Sequence, residues 1–121
     1  MIRRSMVLLL LVFAASNAAA HVHLNSSDPA DGATLVAAPA QITLVFSAAA
    51  NLTAATVQGT AASAATKLDV VPNAASATHT VALPALAPGG YVVAWRALSA
   101  DGHVMSGEVR FTVQGDSAAT Q

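Results

Sequence analysis

The sequence contains no cysteine and is poor in charged and aromatic residues. Of its 121 residues, 9% are charged and 4% are aromatic. Without cysteine, the chain can form neither a disulfide framework nor a thiolate metal site. With only five lysines and arginines in total, it also has no basic patch of the kind that binds nucleic acid. Any metal site must therefore be built without thiolates, and we expect no nucleic-acid partner.

The N-terminal residues have the pattern of a secretory signal peptide. Arg3 and Arg4 precede an apolar run of about ten residues, "MVLLLLVFAA" at 6–15, and Ala18-Ala19-Ala20 offers a small-residue cleavage site. The run is too short to span a bilayer, which takes about twenty apolar residues. We therefore predict a signal peptide at 1–20, cleaved after Ala20, and a secreted domain at 21–121 that does not insert into a membrane. The remaining three basic and six acidic residues give this domain a formal charge of −3 with neutral histidines.

The domain alternates apolar and polar residues between frequent turn signals, and no segment has the period of a long amphipathic helix. This pattern predicts an all-β fold, a single antiparallel β-sandwich of about seven strands. From Gln114 onward the tail is expected to be frayed. The predicted strands are 21–26, 41–46, 52–58, 67–71, 79–83, 91–98 and 108–113.

The strand pattern also predicts where several side chains lie. Tyr91 and Trp95 share one face of their strand and are expected in the core. His79 has no partner nearby in sequence and is expected to be an exposed strand histidine. Met105 is expected to be a packing or loop residue. Glu108 and Arg110 share a face and should form an exposed ion pair, a kind of contact that contributes little to stability.

The stretch "SADGHVMSG" (99–107), between the two clearest strands, could carry chemistry. Asp101 and His103 are two residues apart, so an extended chain can present both side chains on one side. A carboxylate and an imidazole together suit a divalent transition metal such as Cu(II) or Zn(II). Alone, the motif is weak, because Asp101 can instead cap the turn and His103 can be an ordinary surface histidine.

The predicted cleavage strengthens the metal interpretation. Cleavage after Ala20 gives His21 a free α-amine beside its imidazole, and this amine loses its proton readily near neutral pH. One residue then offers two nitrogens to one ion, an arrangement called a histidine brace. Adding His103 and Asp101 gives three nitrogens and one oxygen, a suitable tetragonal set for Cu(II).

His23 leaves an alternative open. It shares a strand face with His21, so it can be a further ligand, a group beside the ligands or merely a neighbour. In addition, "His21-Val22-His23" places a histidine third after a free amine. In that motif the amine, two deprotonated amides and the imidazole bind Cu(II) in one plane, but strand pairing competes for the same amides. We favour the brace.

The segments "HVHLNSSDPADGA", "PAQITLVFS" and "LAPGGYVVAWRALSADGHVMSGEVRFTV" together resemble the CopC-type periplasmic copper-binding (copper resistance) proteins. The resemblance covers the secreted domain from His21 to Val113. It implies a cupredoxin-like, Ig-like Greek-key fold in the periplasm that binds one Cu(II) per chain. It further implies that the ligands are His21, Asp101 and His103, and that copper passes to or from an inner-membrane transporter of the CopD type.

One departure from the family matters. Some members add a Cu(I) site built from a methionine-rich loop, because thioethers select Cu(I). After cleavage this chain keeps a single methionine, Met105. We therefore expect no Cu(I) site.

The resulting hypothesis is a non-enzymatic Cu(II)-binding protein that sequesters or delivers copper. The alternative is a copper monooxygenase or oxidase, since such enzymes also use a histidine brace. Those enzymes are larger and need a flat substrate surface and an open coordination position, which Asp101 would fill here. A third possibility is a structural or adhesive sandwich with incidental histidines.

Overall fold

A computed structural model describes residues 22–115, and within that range the chain is all-β, with seven strands and no helix. The predicted fold class is thus confirmed. No helix in the described range is long and apolar enough to cross a membrane. The strands are β1 (Leu24–Asp28), β2 (Ala33–Leu35), β3 (Gln41–Gly59), β4 (Thr66–Lys67), β5 (Ala75–Ala82), β6 (Gly89–Ser99) and β7 (Val104–Val113).

One long strand, β3, organises the sheet. It pairs antiparallel with β1, β4, β5 and β6, and the main path across the sheet is β1-β3-β6-β7-β2. The predicted strands 41–46 and 52–58 are the two halves of this single strand. The segment between them, "SAAAN", contains neither glycine nor proline, so the chain continues through it instead of turning.

β3 bends where the two halves meet. Its pairing with β5 shifts register between Val45 and Ala50, which leaves extra residues on the β3 side. Such a bulge bends a strand and increases its twist. We call residues 46–50 the β3 bulge. It allows one strand to pair with β1 on one stretch and with β6 on the next, so that the sheet curls around the core.

Other boundaries differ from the sequence prediction. The strand predicted at 67–71 is the two-residue β4, and the strand predicted at 108–113 begins earlier, at Val104. β2 was not predicted, because it is only three residues long. β2 pairs parallel with β7, whereas the sequence pattern predicted a wholly antiparallel fold.

The core consists of the alternate residues of β3, β6 and β7 that face inward. The fully or almost fully buried apolar side chains include Ile42, Leu44, Phe46, Leu52, Val57, Val93, Trp95, Val109 and Phe111. The Trp95 ring meets Phe46 edge-on, with 5.1 Å between ring centroids. Tyr91 is half-buried and stacks on Phe111 at 5.7 Å. The expectation that both rings belong to the core face is met. Met105 likewise packs against the core, as predicted.

His79 is buried, so the prediction of an exposed histidine is wrong. The residue is only 8% exposed, and its ring meets Phe46 edge-on. β5 begins at Ala75, earlier than predicted, and pairs His79 with Leu44, on the side that faces the core. The ring nitrogen Nε2 donates to the carbonyl of Ala50, 2.7 Å away. This bond stabilises the β3 bulge, because it satisfies a backbone oxygen from within the core.

Gly107 lies directly against the indole of Trp95. A Cβ atom at Gly107 would come within 2.7 Å of Cζ2 of Trp95, closer than carbon atoms can pack. Trp95 and Gly107 are opposite each other in the β6–β7 register. The absence of a side chain on β7 therefore makes room for the largest ring in the core.

We expect Gly107→Ala to destabilise the domain by about 1–3 kcal/mol, since the added methyl forces Trp95 to move within a close-packed core. Chemical denaturation followed by the fluorescence of Trp95, the only tryptophan, measures the effect. The matched control is Gly59→Ala, where a Cβ would make ordinary contacts of 3.6 Å to Ala62 and Tyr91. Equal stability of the two variants would contradict the packing interpretation.

Candidate metal centre

The loop that joins β6 to β7 holds the predicted metal-binding motif. Ser99 ends β6, and the chain turns through Asp101 and Gly102 before β7 begins at Val104. Two backbone hydrogen bonds close the turn: Gly102 N–H donates to Ser99 O at 3.0 Å, and Ser99 N–H donates to His103 O at 2.9 Å. Gly102 has a φ of 89°, a conformation that glycine adopts without strain. The sequence "DG" thus predicts the turn correctly.

Asp101 and His103 are in direct contact. His103 Nδ1 lies 2.7 Å from Oδ2 of Asp101, while the side chains are 67% and 55% exposed, respectively. The backbone N–H of His103 also donates to Asp101 Oδ1 at 3.2 Å. The two predicted ligands of this loop are therefore brought together and held at the surface, where an ion in solution can reach them.

Hydrogen bonds favour the ionised form of Asp101. The hydroxyl of Ser99 donates to Asp101 Oδ1, and His103 contributes both its ring and its backbone N–H. These bonds, first that of Ser99 and then those of His103, hold the pKa of the Asp101 carboxyl well below its usual value. The carboxylate is thus negatively charged over the whole physiological range.

The start of β1 and the end of β6 both pair with β3 at the bulge. Leu24 pairs with Phe46 at one end of the bulge, and Ser99 pairs with Ala50 at the other end. His23 continues this pairing: its N–H donates to Ser47 Oγ at 3.0 Å, and its carbonyl accepts from Ser47 N–H at 2.8 Å. The chain that follows the predicted cleavage point is therefore fixed to the same short stretch of β3 as the end of β6.

The predicted third ligand, His21, lies outside the described residues. Within residues 22–115, no group of three or more histidine, aspartate or glutamate side chains is close enough to hold a metal ion. Asp101 and His103 form a pair there, and the side chain of His23 is exposed. His79 is held inside the core by Ala50.

Ser99 also belongs to the hairpin that carries the predicted ligands. Ser99, which the sequence reasoning did not single out, is buried at 6% exposure and contacts both Asp101 and His103. Its burial could have been inferred from the sequence, because Ser99 continues the inward-facing series Val93, Trp95 and Ala97.

On the outer face of β7, Arg110 and Glu108 form the predicted exposed ion pair, with 2.7 Å between Nη2 and Oε2.

The donor set suits copper by its chemistry. Imidazole and carboxylate are ligands that Cu(II) accepts, and the carboxylate here is already ionised and so does not have to lose a proton on binding.

Comparison with known proteins agrees with the resemblance seen in the sequence. The family model described as the CopC domain matches residues 24–114. Two crystal structures of PcoC from Escherichia coli, titled a copper resistance protein and a methionine-rich copper resistance protein, are 32% and 33% identical to this chain. They superpose with TM-scores of 0.58 and 0.59; the alignments cover 76% and 78% of this chain and 99% of each PcoC chain.

The structure of CopC from Methylosinus trichosporium OB3b has a TM-score of 0.66 at 24% identity, a likeness of fold, over 78% of this chain and 95% of that one. No curated protein sequence matches the chain. The family match spans all seven observed strands, including the hairpin with Asp101 and His103. The chain belongs to the CopC family.

Proposed function

We propose that this chain is a periplasmic copper resistance protein that binds one Cu(II) ion without catalysis. The ligands are the α-amine and imidazole of His21, together with Asp101 and His103. The single observation that carries the proposal is the contact between Asp101 and His103, which presents a carboxylate and an imidazole side by side at an exposed loop. Membership of a family whose E. coli relatives are copper resistance proteins supports copper as the ion.

The position of β1 supports a contribution from His21. Only Val22 separates His21 from His23, and His23 is anchored on Ser47 in the β3 bulge. The end of β6 is anchored on the same bulge through Ala50 and Ser99. The start of β1 and the end of β6 are thus paired with the same short stretch of β3, which supports a site that both elements share.

The same contacts argue against the competing amino-terminal motif. In that mode the amide nitrogens of Val22 and His23 lose their hydrogens and bind copper. Here the His23 N–H donates a hydrogen bond to Ser47 and is part of the pairing of β1 with β3. Deprotonating that amide would break this bond, so the brace is the mode compatible with the fold.

The methionine content supports a site for Cu(II) alone. One of the E. coli PcoC structures is titled methionine-rich. This chain has three methionines, two of which lie in the predicted signal peptide, and the third, Met105, packs against the core. No thioether cluster can form after cleavage, so a Cu(I) site of that type is not available.

Asp101 as a ligand favours binding over catalysis, because it occupies a coordination position that an oxygen-activating enzyme needs open. The protein would sequester copper in the periplasm or pass it to an inner-membrane transporter of the CopD type by ligand exchange at the exposed loop. A reductant-driven peroxide or polysaccharide assay that showed turnover dependent on His21 would instead favour the monooxygenase alternative.

One extra residue before His21 should weaken Cu(II) binding by more than about 100-fold, because an amide replaces the amine ligand; this exceeds the usual cost of losing an outer-shell partner. Competition titration against a chelator measures the affinity of protein that begins at His21 and of the extended version. The control carries one extra residue after Gln121 instead and should bind normally. Equal affinity of all three proteins would contradict the brace.

Replacing His103 with Ala, or Asp101 with Asn, should also weaken Cu(II) binding and shift the d–d absorption band, since each change removes a ligand. Ser106→Ala is the control, because Ser106 is exposed on the same hairpin and is not a predicted ligand. His79→Ala is unsuitable as a control, since His79 is buried and its loss would disturb the core. Wild-type affinity in the His103 variant would exclude this loop as the site.

Acidification should release copper through the nitrogen ligands. Protons compete with the metal for the amine and the imidazoles as the pH falls, whereas Asp101, whose pKa is lowered, stays ionised until far more acidic conditions. The Cu(II) absorption of the loaded protein should therefore disappear between about pH 6 and pH 4, around and below the usual imidazole pKa. Full retention of copper at pH 4 would contradict nitrogen ligation.

A further inference from the structure

Two polar side chains are buried in the described part of the chain, those of His79 and Ser99, and both adjoin Ala50 in the β3 bulge. His79 donates to the Ala50 carbonyl from one side, and Ser99 pairs with Ala50 from β6. Buried hydroxyls need partners. The partners of Ser99 lie in the loop with the predicted ligands.

The hydroxyl of Ser99 has contacts with both residues of the Asp101–His103 pair. Its oxygen accepts from the backbone N–H of His103 at 3.2 Å and lies 3.2 Å from the carbonyl oxygen of His103. It is also in hydrogen-bond contact with Oδ1 of Asp101. A hydroxyl has one hydrogen to donate. Because Asp101 is ionised, the charge-assisted bond to its carboxylate is the stronger choice.

This bond fixes the orientation of the carboxylate. With Oδ1 held by Ser99 and by the His103 N–H, Oδ2 faces the Nδ1 atom of His103. A carboxylate only accepts hydrogen bonds, so Nδ1 must carry the hydrogen, and the lone pair of the neutral ring is on Nε2. Because Nε2 lies on the far side of the ring from this carboxylate, Asp101 and His103 can bind one ion only after the contact with Nδ1 opens, so the contact belongs to the metal-free state.

We propose that Ser99 is a positioning residue for the metal centre: in the metal-free protein its hydroxyl orients Asp101, which holds His103 in the Nδ1–H tautomer and so keeps Nε2 unprotonated for the metal. The role of Ser99 in copper binding rests on the proposed function. The tautomer of His103 is a property of the metal-free protein and does not depend on copper.

The hydroxyl is not needed to form the turn. The turn is closed by two bonds between backbone atoms, from Gly102 to Ser99 and from Ser99 to His103. These remain when the side chain is shortened to alanine. The side chain therefore acts on the orientation of Asp101 and His103 and not on the path of the chain.

The first test is the tautomer of His103 in the metal-free protein at about pH 8.5, above the usual imidazole pKa. Nitrogen-15 chemical shifts of the ring distinguish the two tautomers. Wild-type protein should show the Nδ1–H form, and Ser99→Ala should show a mixture with the Nε2–H form. An Nε2–H ring in the wild type would overturn the proposal, and this result does not depend on whether any variant folds.

The second test is Cu(II) affinity. Ser99→Ala should bind about 10-fold more weakly or worse, the usual cost of losing an outer-shell partner, while its thermal unfolding stays near that of wild type. Ser99→Thr, which keeps the hydroxyl, should recover both the tautomer and the affinity. Ser106→Ala, on the exposed face of the same hairpin, is the control and should change neither.

A Ser99→Ala variant with wild-type tautomer and affinity would overturn the positioning role. The outcomes also separate the two proposals. If wild-type protein that begins at His21 fails to bind Cu(II), the proposed function is wrong, whereas the His103 tautomer still decides what Ser99 does.

Discussion

The pairing of several strands along the single strand β3 is the constraint on which the rest of the structure depends. Because β3 runs from Gln41 to Gly59 without a turn, it must bend at its bulge to close the sheet around the core. At that bulge the start of β1 and the end of β6 are fixed by hydrogen bonds, although they are far apart in sequence. On the core side of the bulge, the ring of Phe46 packs against Trp95, and the buried His79 donates a hydrogen bond to the carbonyl of Ala50.

The proposed metal centre would use this arrangement at little cost to stability. Asp101 and His103 are exposed on a hairpin that backbone hydrogen bonds close on their own, so the site is added at the edge of the sheet without burying charge. Ser99 connects the sheet to this loop, since it is buried in the sheet and hydrogen-bonded to Asp101. In the proposed site, cleavage of the predicted signal peptide frees the α-amine of His21, which joins the imidazole of the same residue as a ligand.

Much of this could be predicted from the sequence. The alternation in "YVVAWRAL" identified β6, the "DG" pair identified the turn, and the spacing of Asp101 and His103 identified their contact. The bulge could not be predicted, because a run of alanine, serine and asparagine carries no clear signal of period or turn. His79 was placed wrongly for a related reason: its burial depends on how β5 pairs with β3, a long-range contact that local alternation does not reveal. The three-residue β2 is too short to give a pattern.

The central claim is that the α-amine of the first residue after cleavage joins a site with Asp101 and His103. Electron paramagnetic resonance of the Cu(II)-loaded protein tests it most directly, using protein labelled with nitrogen-15 at the backbone nitrogen of one residue type at a time. Labelled histidine should change the nitrogen splitting, because the amine of His21 binds copper, and labelled valine should not. An unchanged spectrum with histidine would contradict the amine ligand, and a change with valine would show that the Val22 amide binds instead.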